Sequence, residues 1–134
     1  LYAKLSVHSK TEAVFDTTGL VLKLYRNEFG LRPVKITGQS EPLDIMAAWK
    51  DDGKTLTIAV INPTAEAQAL AINLRGLAGF RTDRVFRITG ANEKAKNVPG
   101  HEPEVKIEEV KEEFRPGRLT LPPLSITLYE LKSD

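Results

Sequence analysis

The residues of this sequence that could do chemistry are few: two histidines, no cysteine, and glutamates crowded into one region. A hydrolytic or transfer site needs a nucleophile, a base and a group that orients them. His8 stands near the start and His101 in a polar stretch, and for each a solvated or hydrogen-bonded structural role is the simpler reading. Two histidines without cysteine match no zinc spacing, so neither a metal nor a cofactor site is expected. No P-loop, no glycine-rich dinucleotide fingerprint and no GxSxG elbow is present. The glutamates Glu102, Glu104, Glu108, Glu109, Glu112 and Glu113 are the second candidate, because two carboxylates suffice for glycoside hydrolysis. A charge run is first of all a solvated face, and nothing apolar surrounds these residues to raise a pKa. No catalytic residue is therefore assigned.

Aromatic rings are the remaining candidates, as platforms on which a sugar could stack. Trp49 falls in phase with Leu43, Ile45 and Ala47, which points into a core. Tyr129 is out of phase with Leu124, Ile126 and Leu128, so it packs on a neighbouring layer or is exposed. It is the one candidate sugar-stacking residue, and a platform would need Tyr2 or Tyr25 as a second ring.

The elements that must position these residues are mostly strands. The chain has 134 residues, 41% of them hydrophobic and 28% charged, the composition of one ordinary folded domain. A net charge of +1 gives no basic face to draw nucleic acid, and no apolar run approaches a membrane span. Neither nucleic acid nor a membrane is expected as a partner, and the compartment is left open. The chain begins without Met, on what reads as the middle of a strand containing Ala3, Leu5 and Val7, so a piece of something longer is expected.

The period then changes. Leu20, Val21, Leu24, Tyr25 and Phe29 fall at helical spacing, with Asp16, Thr17 or Thr18 to cap the start and Gly30 to end it in a left-handed turn. From Arg32 onward the pattern is β. Val34 and Ile36 read as a short strand, and Leu43–Trp49 and Leu56–Val60 as a hairpin turned by Asp51-Asp52-Gly53-Lys54. Leu70, Ile72 and Leu74 alternate, as do Val85 to Ile88 and Val105 with Ile107, and residues 91–103 read as a long ordered loop. The final stretch, LTLPPLSITLYEL (Leu119 to Leu131), carries two alternating runs either side of Pro122–Pro123. Neither proline can donate to a ladder, so the pair marks a strand crossing from one sheet to another. The face of Leu124, Ile126 and Leu128 is expected to pack on the Leu43–Trp49 and Leu56–Val60 hairpin. The fold class expected is mainly β: an antiparallel, jelly-roll-like β-sandwich preceded by one amphipathic α-helix.

Four segments together resemble the C-terminal region of glycoside hydrolase family 51, the α-L-arabinofuranosidases. They are TGLVLKLYRNEFG (Thr18 to Gly30), MAAWKDDGKTLTIAVINPT (Met46 to Thr64), NVPGHEPEVKIEE (Asn97 to Glu109) and LTLPPLSITLYEL. The resemblance implies that residues 1–30 are the tail and last helix of a (β/α)8 barrel and residues 31–134 a C-terminal β-sandwich. It also implies that the two catalytic glutamates lie on barrel strands before Leu1, that the sandwich is completed by residues preceding the barrel, and that this chain alone is inactive. Its partner would be the catalytic barrel of the parent enzyme, which cleaves terminal arabinofuranosyl residues from arabinan and arabinoxylan. The broad apolar face of Leu20 to Phe29 would suit the barrel's outer ring. In the chain alone that face is expected to be poorly ordered, or to be covered by the sandwich or by self-association with a second copy. The alternative function is a stand-alone carbohydrate-binding module. An immunoglobulin-type interaction domain fits less well, since the leading helix has no place in it.

Overall fold

The local chemistry of residues 50–55 sets the first hairpin. The Asp52 carboxylate accepts the backbone N–H groups of Lys54 and Thr55, each at 2.8 Å, and the Thr55 hydroxyl at 2.6 Å. These three hydrogen bonds, the largest influence among them the Thr55 hydroxyl, hold its pKa down at about 2. Gly53 supplies the positive φ of +65° that the turn needs. In a computed structural model of the protein, which describes residues 5–7, 13–77 and 79–133, this turn joins strands β4 (Asp44–Trp49) and β5 (Thr55–Asn62). Their antiparallel register runs from Trp49↔Leu56 to Asp44↔Ile61. Seven of the eight β5 residues are buried, the signature of a strand covered on both faces.

That burial follows from the topology. A six-stranded antiparallel sheet has the order β3-β4-β5-β10-β7-β8, where β3 is Arg32–Pro33, β7 Phe80–Thr89, β8 Ile107–Glu109 and β10 Ser125–Ser133. A two-stranded sheet pairs β6 (Gln68–Leu70) with β9 (Leu119–Leu121), and another pairs β1 (Leu5–Val7) with β2 (Ala13–Phe15). One face of the large sheet packs Leu56, Ile58, Val60, Val85, Tyr129 and Leu131 against Leu119 and Leu121 of the small one, with Leu43 and Phe114 at the rim. Each such buried leucine contributes roughly 1.5–3 kcal/mol of transfer free energy. The mainly β, sandwich-like architecture is the one expected.

The other face carries α1 (Thr17–Glu28). Asp16 caps it through its side chain, accepting from Thr17 N–H at 2.8 Å, and Leu24 meets Ala59, Phe86, Ile88 and Leu128 of the sheet. Leu20, Val21, Tyr25 and Phe29 complete the seam. The apolar face of α1 therefore packs on the sheet of the same chain, with Leu24 buried and Leu20, Val21, Tyr25 and Phe29 half-buried. Gly30 is also used otherwise than expected. The helix ends at Phe29 in extended geometry, and Gly30 is present because a Cβ there would come within 2.6 Å of the carbonyl oxygens of Ala48 and Trp49.

Pro122 and Pro123 do carry the chain between sheets. Leu121 ends β9, Leu124 adopts φ +46°, and Ser125 opens β10 between β5 and β7. Asn62 clamps this crossover: its amide donates to the carbonyls of Leu121 at 3.2 Å and Pro122 at 2.8 Å, while its side-chain oxygen accepts from Thr64. The phase of β10 differs from expectation. Ile126 and Leu128 face the helix, and Tyr129 and Leu131 face the core that contains Leu56, Ile58 and Val60. Three expected strands differ: Val34 and Ile36 lie outside β3, with Val34 tied to Ala47 by one backbone bond; β6 stops at Leu70, with Ile72 tied to Pro116; and β8 starts at Ile107, leaving Val105 outside it.

Candidate functional site

The glutamate region does not converge on a reacting centre. Glu109 accepts two bonds from Arg84, at 3.3 and 3.1 Å, and Glu112 receives Arg87 at 2.5 Å and the Tyr129 hydroxyl at 3.2 Å. Glu113 pairs with Arg115 at 3.0 Å and Glu108 with Lys106 at 3.3 Å. Glu104 accepts the backbone N–H of Lys96, and Glu102 lies exposed. These carboxylates are strung along an edge strand and its continuation, where charge also discourages pairing with another sheet. His101 is exposed in its loop. His8 and Tyr2 lie outside the described residues. Among the described residues no group of three His, Cys, Asp or Glu could hold a metal ion.

Among the described residues the candidate rings Trp49, Tyr25 and Tyr129 form no exposed platform. Tyr129 has 0% exposure, its ring edge-on to Phe114 at 5.1 Å, so it is a core residue and cannot offer a face to a sugar. The phase argument found the right alternative, a neighbouring layer, and the stacking role is corrected by burial. Trp49 leans on Phe80 at 5.8 Å and packs against the sandwich core, as its phase predicts. Tyr25 lies in the helix–sheet seam, where burial, with the Asp44 carboxylate second, pushes its hydroxyl up to about 12.

Two features were not found from the sequence. The first is an ionic cluster where α1 ends: Lys50 lies 2.5 Å from Glu130 and 3.7 Å from Glu28, and Arg84 lies 3.4 Å from Glu28. Its signal was available, since Glu130 continues the Ile126–Leu128 alternation and so places a charge on an apolar face. The second is a cleft of about 390 Å³ on the sandwich side, between Ile36, Ile45 and Ile58 on one wall and Leu70, Ile72 and Leu74 on the other. The cleft exists because β6–β9 covers only part of a sheet six strands wide.

No family model matches the chain, and no curated protein matches it in sequence. Solved structures do. An arabinofuranosidase superposes with a TM-score of 0.82 at 24% identity, over 96% of this chain and 31% of that one. The α-L-arabinofuranosidase of Thermotoga maritima, solved with arabinose, gives 0.80 at 22% identity, over 96% and 31%. The thermostable family 51 α-L-arabinofuranosidase of Thermotoga petrophila RKU-1 gives 0.72 at 25%, over 91% and 30%. This chain thus spans under a third of the length of the enzymes it matches. Over nearly its whole length, it has the fold of one part of the α-L-arabinofuranosidases of glycoside hydrolase family 51, the family its sequence resembles.

Proposed function

We propose that this chain is the non-catalytic C-terminal β-sandwich portion of an α-L-arabinofuranosidase-like glycoside hydrolase, with a catalytic barrel in the same polypeptide as its partner. The observation that carries the reading is the asymmetry of the match, 96% of this chain against 31% of an arabinofuranosidase. In this proposal residues 1–30 close the barrel, residues 31–134 form the sandwich, and the role of the sandwich is to support the barrel's flank. The glutamates that cleave terminal arabinofuranosyl residues from arabinan or arabinoxylan belong to the barrel. Further support comes from Glu108, Glu109, Glu112 and Glu113, each of which is held in an ion pair with a Lys or Arg.

The carbohydrate-binding alternative makes a different prediction. A binding module holds its polysaccharide on exposed rings, and here Tyr129 is buried and Trp49 half-buried against Phe80. Titration of the chain with arabinan, arabinoxylan and cellulose is expected to give no saturable isotherm. Saturable binding to any of the three would replace the support role with a binding one.

A further inference from the structure

The ionic cluster at the end of α1 has a chemistry that the proposed function does not use and does not depend on. Glu130 sits on the central strand β10, under the helix, with 2% exposure. Among the described residues its ion-pair partner is Lys50, immediately past β4, which is shared with Glu28, the last residue of α1, while Arg84 stands across from Glu130 in the β10–β7 register. Glu28 occupies the helix end where the macrodipole is already negative, a position that disfavours a carboxylate. Arg84 of β7 reaches Glu28 at 3.4 Å but is also engaged by Glu109 of β8 through two bonds. Further charged groups near this seam include Arg26 in the last helical turn and Asp44 of β4, whose charge is felt at Tyr25. Fully ionised, Glu28, Glu109 and Glu130 outnumber Lys50 and Arg84 by one negative charge, and the most buried member is a carboxylate.

We propose that Glu28 and Glu130, with Lys50 between them, form a proton-operated latch that holds the C-terminal end of α1 on the sheet and tightens as pH falls. Burial raises the Glu130 carboxyl above its ordinary value, the Glu28 charge adds to that, and Lys50 opposes it without cancelling it. A carboxyl raised in the closed state binds its proton there before it does in the open one. The stability it contributes is therefore complete at low pH and is lost as pH rises through the raised pKa.

Native-state hydrogen exchange on the amides of Leu24 to Phe29 tests this, with protection factors corrected for intrinsic exchange between about pH 5 and about pH 8. In the unaltered chain protection is expected to fall with rising pH, by at most about tenfold per unit while the latch titrates. Glu130→Gln removes the titrating group, and protection is expected to stay at its low-pH level throughout. Glu28→Gln, at a half-buried position, is the second variant should Glu130→Gln fail to fold, and it is expected to flatten the slope. A flat profile in the unaltered chain, or a slope that survives Glu28→Gln unchanged, overturns the latch.

Discussion

Tyr129→Ala is expected to cost about 3–5 kcal/mol in chemical denaturation, the range for emptying a large aromatic site in a packed core. The ring is fully buried, lies in register between Ile58 of β5 and Val85 of β7, and meets Phe114 edge-on at 5.1 Å. Its removal leaves a cavity at the centre of the sandwich that the flanking strands cannot close without breaking their ladders. Tyr129→Phe separates the ring from the hydroxyl. It keeps the packing and loses only the 3.2 Å bond donated to Glu112, which itself remains paired with Arg87, so a loss of about 1 kcal/mol is expected. Burial first, and then the Glu112 charge, push the Tyr129 hydroxyl above its ordinary pKa, so it remains a donor across the working pH range. A residue serving as an exposed platform would instead tolerate alanine within about 0.5 kcal/mol.

Gly30→Ala is expected to cost about 3 kcal/mol or more, for a steric rather than a conformational reason. Here the chain leaves α1 and presses directly on the end of β4, where an added Cβ would lie 2.6 Å from Ala48 O, Trp49 C and Trp49 O. All three are backbone atoms held in the sheet, so none can swing aside as a long side chain would. The same approach lets Gly30 N–H donate to the Thr57 hydroxyl at 2.9 Å, and that hydroxyl donates to Ala48 O at 2.8 Å. Relief of the clash must lift the helix from the sheet. Denaturation midpoints should therefore fall together with amide protection in α1. Gly117→Ala is the control, since a Cβ there meets nothing within 4 Å, and it is expected to change stability by less than about 0.5 kcal/mol.

These two positions also show where the sequence was readable and where it was not. The Asp52–Thr55 turn, the Asp16 cap and the Pro122–Pro123 crossover were legible because each rests on local chemistry: a carboxylate beside free N–H groups, or an imino acid that cannot pair. Gly30 was misread as a left-handed terminator because its reason is tertiary, the proximity of β4. The facing of β10 was misread because a strand buried on both sides alternates without saying which side is which. Ile126 and Leu128 could as well have faced the sandwich as the helix. The apolar alternation of Ile72 and Leu74 reads as strand, yet beyond β6 it lines a cleft, with one backbone bond from Ile72 to Pro116 in place of a ladder. The Glu28–Lys50–Glu130 cluster needed three elements far apart in sequence, and only the intrusion of Glu130 into an apolar face announced it.

The central claim, that the chemistry of the parent enzyme lies outside this chain, is tested most directly by assay of the purified chain on a chromogenic α-L-arabinofuranoside. The account predicts no turnover above the buffer rate. Release of the chromophore at an enzyme-like rate, persisting after repurification of the chain, would contradict it.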